Sequence, residues 1–198
     1  MWFLVQYQDK EWLRLRGNPR SVMFLGWDVK IVKRLLEKET HQKSIENLLW
    51  SPLHCAAQYG KLEAYQLISK YFVQINPVDE EDYTPLHLAA KHGHLNLCQF
   101  IIDNVDDKNP ANIMDEFEEG GGVTPLHEAA INGHLVICQL ILDNIVDKNP
   151  KDEAGNTPLH HSAEHNHFEI CQHLLCYIED KNPVNEFGET PLHIAAEF

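Results

Sequence analysis

The tetrapeptide Thr-Pro-Leu-His recurs along this chain at a nearly constant interval, and it constrains the fold more than any other feature. It begins at Thr84, Thr124, Thr157 and Thr190, and a serine variant begins at Ser51. The intervals between successive copies are equal, except that the interval from Thr84 to Thr124 is longer. Self-similarity with a period of about 33 residues is typical of a solenoid, in which each repeat buries its apolar face against its neighbours.

The repeat at residues 152–184 shows how the pattern predicts two helices. Gly155 suits a turn with positive φ, Thr157 is a preferred helix N-cap residue, and Pro158 fits the first helical position. Asn166 marks a left-handed stop, which is a glycine in the other repeats. Apolar residues then recur at helical spacing. The sequence therefore predicts a turn and two short antiparallel helices in every repeat.

This unit resembles the ankyrin repeat, because Thr/Ser-Pro-Leu-His-x-Ala/Ser-Ala occurs in one register over residues 46–198. The resemblance implies an all-α solenoid of stacked helix-turn-helix units joined by β-hairpin loops. We expect four full repeats that start near residues 46, 79, 119 and 152, and a truncated fifth repeat from residue 185. Leu49 and Asp82 replace the turn glycine in two repeats, so we expect those turns to be distorted.

The register also extends towards the N-terminus. Asn18 and Pro19 precede a further set of apolar residues at the spacing of a second helix, and Pro19 stands one regular repeat interval before Pro52. We therefore interpret residues 13–45 as a degenerate repeat that caps the stack, within an N-terminal unit of residues 1–45. Residues 1–12 have two alternatives, a short additional helix over the end of the core or an irregular start.

The longer interval places seven extra residues within residues 111–122, a stretch that includes the acidic sequence Asp-Glu-Phe-Glu-Glu. An insertion at this point of the repeat falls in the hairpin loop, where added length is tolerated and contacts are often made. A disordered acidic bulge without a role in binding is the alternative.

The charge of the chain argues against nucleic acid as a partner. The formal net charge is −14, whereas non-specific nucleic-acid binding needs a basic surface. Residues 46–198 carry 25 Asp and Glu against seven Lys and Arg, a balance that favours basic partners. No apolar run is long enough to span a bilayer. We therefore expect a cytoplasmic or nuclear monomer without a membrane or nucleic-acid partner.

Thirteen histidines raise the question of a metal or catalytic site, but the register assigns most of them to the repeated frame. Five belong to the tetrapeptide, and the resemblance implies that these bond to the backbone near the turn. Three more follow the stop between the helices: His94, His134 and His167. His161 and His165 have i,i+4 spacing, yet no cysteine or carboxylate in the sequence pattern completes a zinc site. We expect no metal, cofactor or catalytic residue.

The cysteines have a similar explanation. Cys98, Cys138 and Cys171 stand thirteen residues after the proline of their repeats, so they occupy equivalent positions in successive repeats. Neighbouring helices are about 8–10 Å apart, too far for a disulfide. We expect buried, reduced thiols that are chemically inert.

The resemblance implies a protein-binding module or scaffold whose partner docks on a concave face formed by the turn tips and the first helices. The register transfers candidate contact residues to this face: Trp50, Tyr59, Glu81, Tyr83, His92, Asn132, Glu153, His165 and Phe187. We expect Trp50, Tyr59 and Tyr83 to form an aromatic patch that anchors a basic or extended segment of the partner. Packing of Trp50 and Tyr59 against the degenerate repeat is the alternative.

Two other functions stay open at this point. The chain ends inside a repeat, so a fragment of a longer protein is expected, unless the last half-repeat is poorly ordered. The repeats would then be the recognition arm of a larger enzyme, channel or ubiquitin-ligase adaptor. A purely structural spacer is the third possibility, and a self-contained enzyme has the least support.

Overall fold

The computed structural model describes residues 2–7, 11–16, 51–79, 81–112 and 121–197. Near the N-terminus, the backbone forms two antiparallel strands, β1 (Trp2–Tyr7) and β2 (Glu11–Arg16). In register, Trp2 pairs with Arg16 and Tyr7 with Glu11.

The two strands correct one expectation for the N-terminal unit. The alternative of a short helix over residues 1–12 is wrong, because aromatic and β-branched residues and a polar–apolar alternation in this segment favour strands. Residues 13–16 of the range interpreted as a degenerate repeat belong to β2. Residues 17–45 of that range, and Leu49, lie outside the described residues.

Within residues 51–197, the described segments contain nine helices, which form four helical hairpins and one further helix. They are α1 (Pro52–Gln58), α2 (Leu62–Ser69), α3 (Pro85–Lys91), α4 (Leu95–Ile102), α5 (Pro125–Ile131), α6 (Leu135–Asn144), α7 (Pro158–Glu164), α8 (Phe168–Tyr177) and α9 (Pro191–Glu197). The first helices α1, α3, α5, α7 and α9 pack in one row, and the second helices α4, α6 and α8 pack in another. The predicted all-α solenoid of stacked helix-turn-helix units is confirmed.

Each first helix begins at the repeated tetrapeptide because its side chains satisfy the helix end. Thr84 has extended backbone angles (φ −104°, ψ 162°) and caps α3, and Pro85 is the first helical residue. The imidazole of His87 turns back, and its Nδ1 accepts the Thr84 N–H at 3.0 Å and lies 2.9 Å from the Thr84 hydroxyl. The four other copies of the tetrapeptide make the same pair of contacts.

The stop between the two helices of a repeat is left-handed, as predicted. Gly133 has φ 78° and Asn166 has φ 57°. A Cβ atom added to Gly133 would lie 2.7 Å from Cε1 of His167, the histidine of the next repeat. Glycine is therefore needed twice at this position, for the backbone angle and for the close approach of the imidazole.

The turn that lacks its glycine keeps the common geometry. Asp82 takes φ 53°, which aspartate tolerates better than most residues. The Asp79 N–H donates to the Tyr83 carbonyl at 2.9 Å, the same distance as between Asp152 and Asn156 in a turn that has its glycine. The expected distortion of the Asp82 turn is therefore wrong.

The core follows the stack as a continuous ribbon. In α3, Leu86, Ala89 and Ala90 are buried, and the small alanines let the neighbouring first helices approach closely. Cys98 and Cys138 are also fully buried, and burial raises the pKa of each thiol to about 12. All five cysteines are free. The prediction of buried, unpaired thiols is thus confirmed for these two, whereas Cys171 is partly exposed.

Gly133→Ala should lower the free energy of unfolding by about 2–4 kcal/mol. An alanine with positive φ costs about 1–2 kcal/mol, and the added Cβ would also collide with His167. Gly188→Ala is the control, since Gly188 has φ 80° but a Cβ added there would meet nothing within 4 Å. Urea denaturation should show the smaller loss for Gly188→Ala. Equal losses in the two variants would contradict the proposed contact with His167.

His173→Leu should raise the free energy of unfolding by about 1 kcal/mol, because a buried polar atom without a partner is costly. The Nε2 atom of His173 is buried and lacks a hydrogen-bond partner. The equivalent residues of the other repeats are Leu67, Phe100 and Leu140, all packed against the core. Urea denaturation measures the change, and Gln172→Leu on the exposed side of α8 is the control. A destabilised His173→Leu protein would contradict the prediction.

Candidate functional site

The described residues on either side of the seven extra residues close the third turn. In the fourth turn, the Asn156 N–H donates to Asp152 Oδ1 at 2.7 Å across four positions of sequence. In the third turn, the Val123 N–H donates to Asn112 Oδ1, also at 2.7 Å, but across eleven positions. The two closures are equivalent, so the insertion lies between Asn112 and Val123. Residues 113–120 lie outside the described part of the chain.

The tips of successive turns are joined by backbone hydrogen bonds. The Glu153 N–H donates to the Gly121 carbonyl at 2.9 Å, and the Glu186 N–H donates to the Ala154 carbonyl at 3.0 Å. The Glu153 carboxylate accepts the Gly121 N–H at 3.1 Å. The third, fourth and fifth turns therefore form one continuous edge, and the exposed Glu153 has a structural contact besides its predicted place on the binding face.

A polar cluster on the first helices contains a residue that sequence reasoning missed, Glu128. It lies on α5, and its side chain is only 4% exposed. The Tyr83 hydroxyl donates to Glu128 Oε1 at 2.8 Å, and the Lys91 ammonium lies 3.4 Å from the same oxygen. The Asn132 amide donates to Oε2 at 3.3 Å. The cluster therefore brings together two predicted residues, Tyr83 and Asn132, around an unpredicted carboxylate.

A feature of the sequence could have identified Glu128. It occupies the variable position of the motif, directly after the framework histidine, where the other repeats have Cys55, Leu88, His161 and Ile194. The other repeats have an uncharged or weakly basic residue at this position. A buried carboxylate is unusual there, because a buried charge needs charged or hydrogen-bonding partners.

Tyr83 is held as a hydrogen-bond donor. Burial, followed by the negative charge of Glu128, raises the pKa of Tyr83 well above its usual value, so the hydroxyl keeps its proton. The ring packs against His87, with centroids 5.0 Å apart. Both contacts fix the position of the ring on the face.

A second polar cluster surrounds His161 in the next repeat. Its Nε2 lies 2.8 Å from Asp152 Oδ2, and its Nδ1 lies 3.6 Å from Glu164. Burial alone would raise the pKa of Asp152, but the hydrogen bonds from His161 and the Asn156 N–H outweigh it, so the pKa is lowered. Both carboxylates near His161 escaped sequence reasoning. No group of three or more potential metal ligands occurs in the described ranges.

The remaining predicted residues lie on the surface of the repeats. Tyr59 is 40% exposed, Phe187 is 75% exposed, and Glu81, His92 and His165 are also exposed. Burial of part of the ring, and then the neighbouring His94, lower the pKa of His92.

Of the predicted aromatic patch, the structure describes Tyr59 and Tyr83, and it does not bring these two together. Tyr59 follows the C-terminal end of α1, whereas Tyr83 precedes the N-terminal end of α3. The length of a first helix, roughly 10 Å, separates these two edges of the stack. Trp50 lies outside the described residues. Tyr83 therefore joins the Glu128 cluster and not Tyr59.

The framework histidines bond to the backbone, as the resemblance implied for those of the tetrapeptide, and the structure adds that they connect neighbouring repeats. His87 Nε2 contacts the Val123 carbonyl of the following repeat at 3.0 Å. His134 Nε2 contacts the Lys91 carbonyl of the preceding repeat at 3.1 Å. A carbonyl can only accept, so Nε2 carries the proton in both rings.

Comparison with protein families agrees with this architecture. A family model described as ankyrin repeats (3 copies) matches residues 21–115 and residues 107–184. No curated protein matches the chain. Among the described helices, none has the length and apolar character that a membrane crossing requires.

The stability should fall as the pH drops from 7 to 5. Burial lowers the pKa of His54, His87 and His127 from 6.5 to about 4. Between these pH values, the unfolded chain binds protons that the folded chain excludes, so acid favours unfolding. Each histidine should lower the free energy of unfolding by up to about 2 kcal/mol at pH 5.

Urea denaturation at pH 7.5, 6.5, 5.5 and 5.0 measures this dependence, in a range where ordinary carboxylates stay ionised. Long-range ¹H–¹⁵N spectra should show the neutral Nε2–H form for these rings at pH 6. An unfolding free energy that does not change between pH 7.5 and 5.0 would exclude neutral buried imidazoles.

Proposed function

Because the chain belongs to the ankyrin repeat family, whose repeats generally act as protein–protein interaction modules, we propose that it binds a basic, extended segment of a partner protein. The segment docks on the concave face, which comprises the turn tips (79–83, 121–123, 152–156 and 185–189) and the first helices with the residue after each. The protein acts as a binding module or scaffold in the cytoplasm or nucleus, and it does not catalyse a reaction.

The charge of the concave face is the observation that supports this proposal. Among its described residues, Lys91 is the one lysine or arginine, and it already pairs with Glu128. The acidic residues of the face include Glu81, Asp82, Glu153, Glu164, Glu186 and Glu189, all at least partly exposed. Like charges would repel an acidic partner, whereas a basic segment would be attracted and oriented.

The repeated geometry favours an extended partner. Neighbouring first helices are about 8–10 Å apart, and an extended chain advances about 3.3–3.6 Å per residue. A segment that runs along the stack therefore meets a new repeat about every three residues. The exposed Phe187 ring at the tip of the fifth turn adds an apolar contact near one end of this path.

A labelled twelve-residue peptide, (Gly-Arg-Ser)₄, should bind the chain more tightly than (Gly-Glu-Ser)₄ in fluorescence anisotropy, and added salt should weaken the binding. The double variant Glu81→Lys/Glu186→Lys on the turn tips should weaken binding of the basic peptide at least tenfold. Both side chains are exposed.

Asp106→Lys/Glu179→Lys is the matched control, because these two exposed residues lie in loops after the second helices and change the net charge equally. The control should alter the affinity less than twofold. Equal losses of affinity in the two double variants, or equal binding of the two peptides, would contradict the proposal that a basic segment binds the concave face.

A further inference from the structure

The burial of the Glu128 side chain costs free energy. Its side chain is 4% exposed, and a buried carboxylate is stable only when charged or hydrogen-bonding groups surround it. The equivalent residue of the preceding repeat, Leu88, is a buried aliphatic side chain that contributes to the core. The frame therefore accepts an apolar residue at this position, and the carboxylate is not needed for folding.

The bonds that satisfy Glu128 are of unequal quality. The Tyr83 hydroxyl, at 2.8 Å from Oε1, is well placed. The Lys91 ammonium at 3.4 Å and the Asn132 amide at 3.3 Å are longer than the roughly 2.7–2.9 Å of a good charge-assisted bond. Of the described residues, only Asn132 donates to Oε2. The carboxylate thus retains capacity for a stronger cationic donor.

Two of the side chains that contact Glu128 are exposed to solvent. The Lys91 side chain is 43% exposed, and an ion pair with such an exposed partner contributes little free energy. Asn132 is exposed as well. Rotation of the Lys91 side chain into solvent would therefore uncover Glu128 without any change of the backbone.

The Tyr83 ring supplies a second element of cation recognition. The Lys91 ammonium lies 5.8 Å from the centroid of this ring, within the range of a cation–π contact. The ring cannot easily turn away, since its hydroxyl is bonded to Glu128 and its face packs against His87. A carboxylate and an aromatic ring thus already surround one cation.

We propose that Glu128 and Tyr83 form the site for an arginine side chain of the partner, and that Lys91 fills this site in the free chain. This inference rests on the proposed binding of a basic segment. A guanidinium group donates to both carboxylate oxygens at once and stacks on an aromatic ring, whereas an ammonium group offers a single point of charge. The arginine therefore displaces Lys91, which moves into solvent.

Titration with L-argininamide, followed by NMR, tests the site without the partner. The Asn132 side-chain amide and the ¹³C-labelled Glu128 carboxylate should shift together. Lys91→Ala should tighten the binding of argininamide at least threefold because the competing cation is gone. Lys151→Ala, the control, removes the same charge from an exposed side chain whose described bond is to the Val184 carbonyl, and it should leave the affinity unchanged.

The variant Glu128→Gln should abolish binding of argininamide at this site, and it should also abolish the gain from Lys91→Ala in the double variant. Lysinamide should bind at least threefold more weakly than argininamide. Equal affinity for the two amides, an equal gain in Lys151→Ala, or a gain that persists in the Glu128→Gln background would overturn the assignment.

The two proposals can fail separately. If (Gly-Arg-Ser)₄ binds the concave face but argininamide does not shift Asn132 and Glu128, the arginine site is wrong and the acidic face stands. If argininamide binds at Glu128 and the peptide does not bind, the arginine site stands and binding of a basic segment along the face is wrong.

Discussion

The stack depends on imidazole side chains that connect one repeat with the next. His87 holds its own turn through Nδ1 and reaches forward to the Val123 carbonyl through Nε2. His134 reaches backward to the Lys91 carbonyl. Each bond joins two buried or half-buried polar groups that would otherwise be left without a partner. Because both nitrogens of His87 are engaged, its proton has one compatible position, on Nε2.

This frame also explains why the most interesting polar residues follow the framework histidine. The histidine side chain is directed into the joint between repeats, and the next residue of the helix lies about 100° further round the helix axis. Glu128 and His161 occupy this position in neighbouring repeats, and each draws an ionisable partner from a nearby turn or helix: Lys91 for Glu128 and Asp152 for His161. This position is therefore polar in two successive repeats.

Local, repeated features could be predicted from the sequence. The starts of the first helices, the left-handed stop at Gly133 and the buried thiol of Cys98 each follow from one residue type at one position of the register. The contacts of Glu128 could not be predicted from the sequence. Its partners Tyr83 and Lys91 are 45 and 37 positions away, and the contacts depend on side-chain rotamers. The strands over Trp2–Tyr7 and Glu11–Arg16 were not predicted for another reason, since the described part of the repeats contains no counterpart of them.

Glu128 and His173 both stand where other repeats have apolar residues, and their surroundings distinguish them. His173 lies on a second helix, and its buried Nε2 atom has no hydrogen-bond partner. It therefore lowers the stability of the protein, and this atom is not accessible to a binding partner. Three donor groups surround Glu128. One of them is the exposed ammonium group of Lys91, which can rotate into solvent. A buried charge with partners contributes little net stability compared with an apolar residue. Glu128 is therefore better explained by binding than by stability. A cation of the partner can take the place of Lys91 beside it, and the Tyr83 ring favours a planar cation.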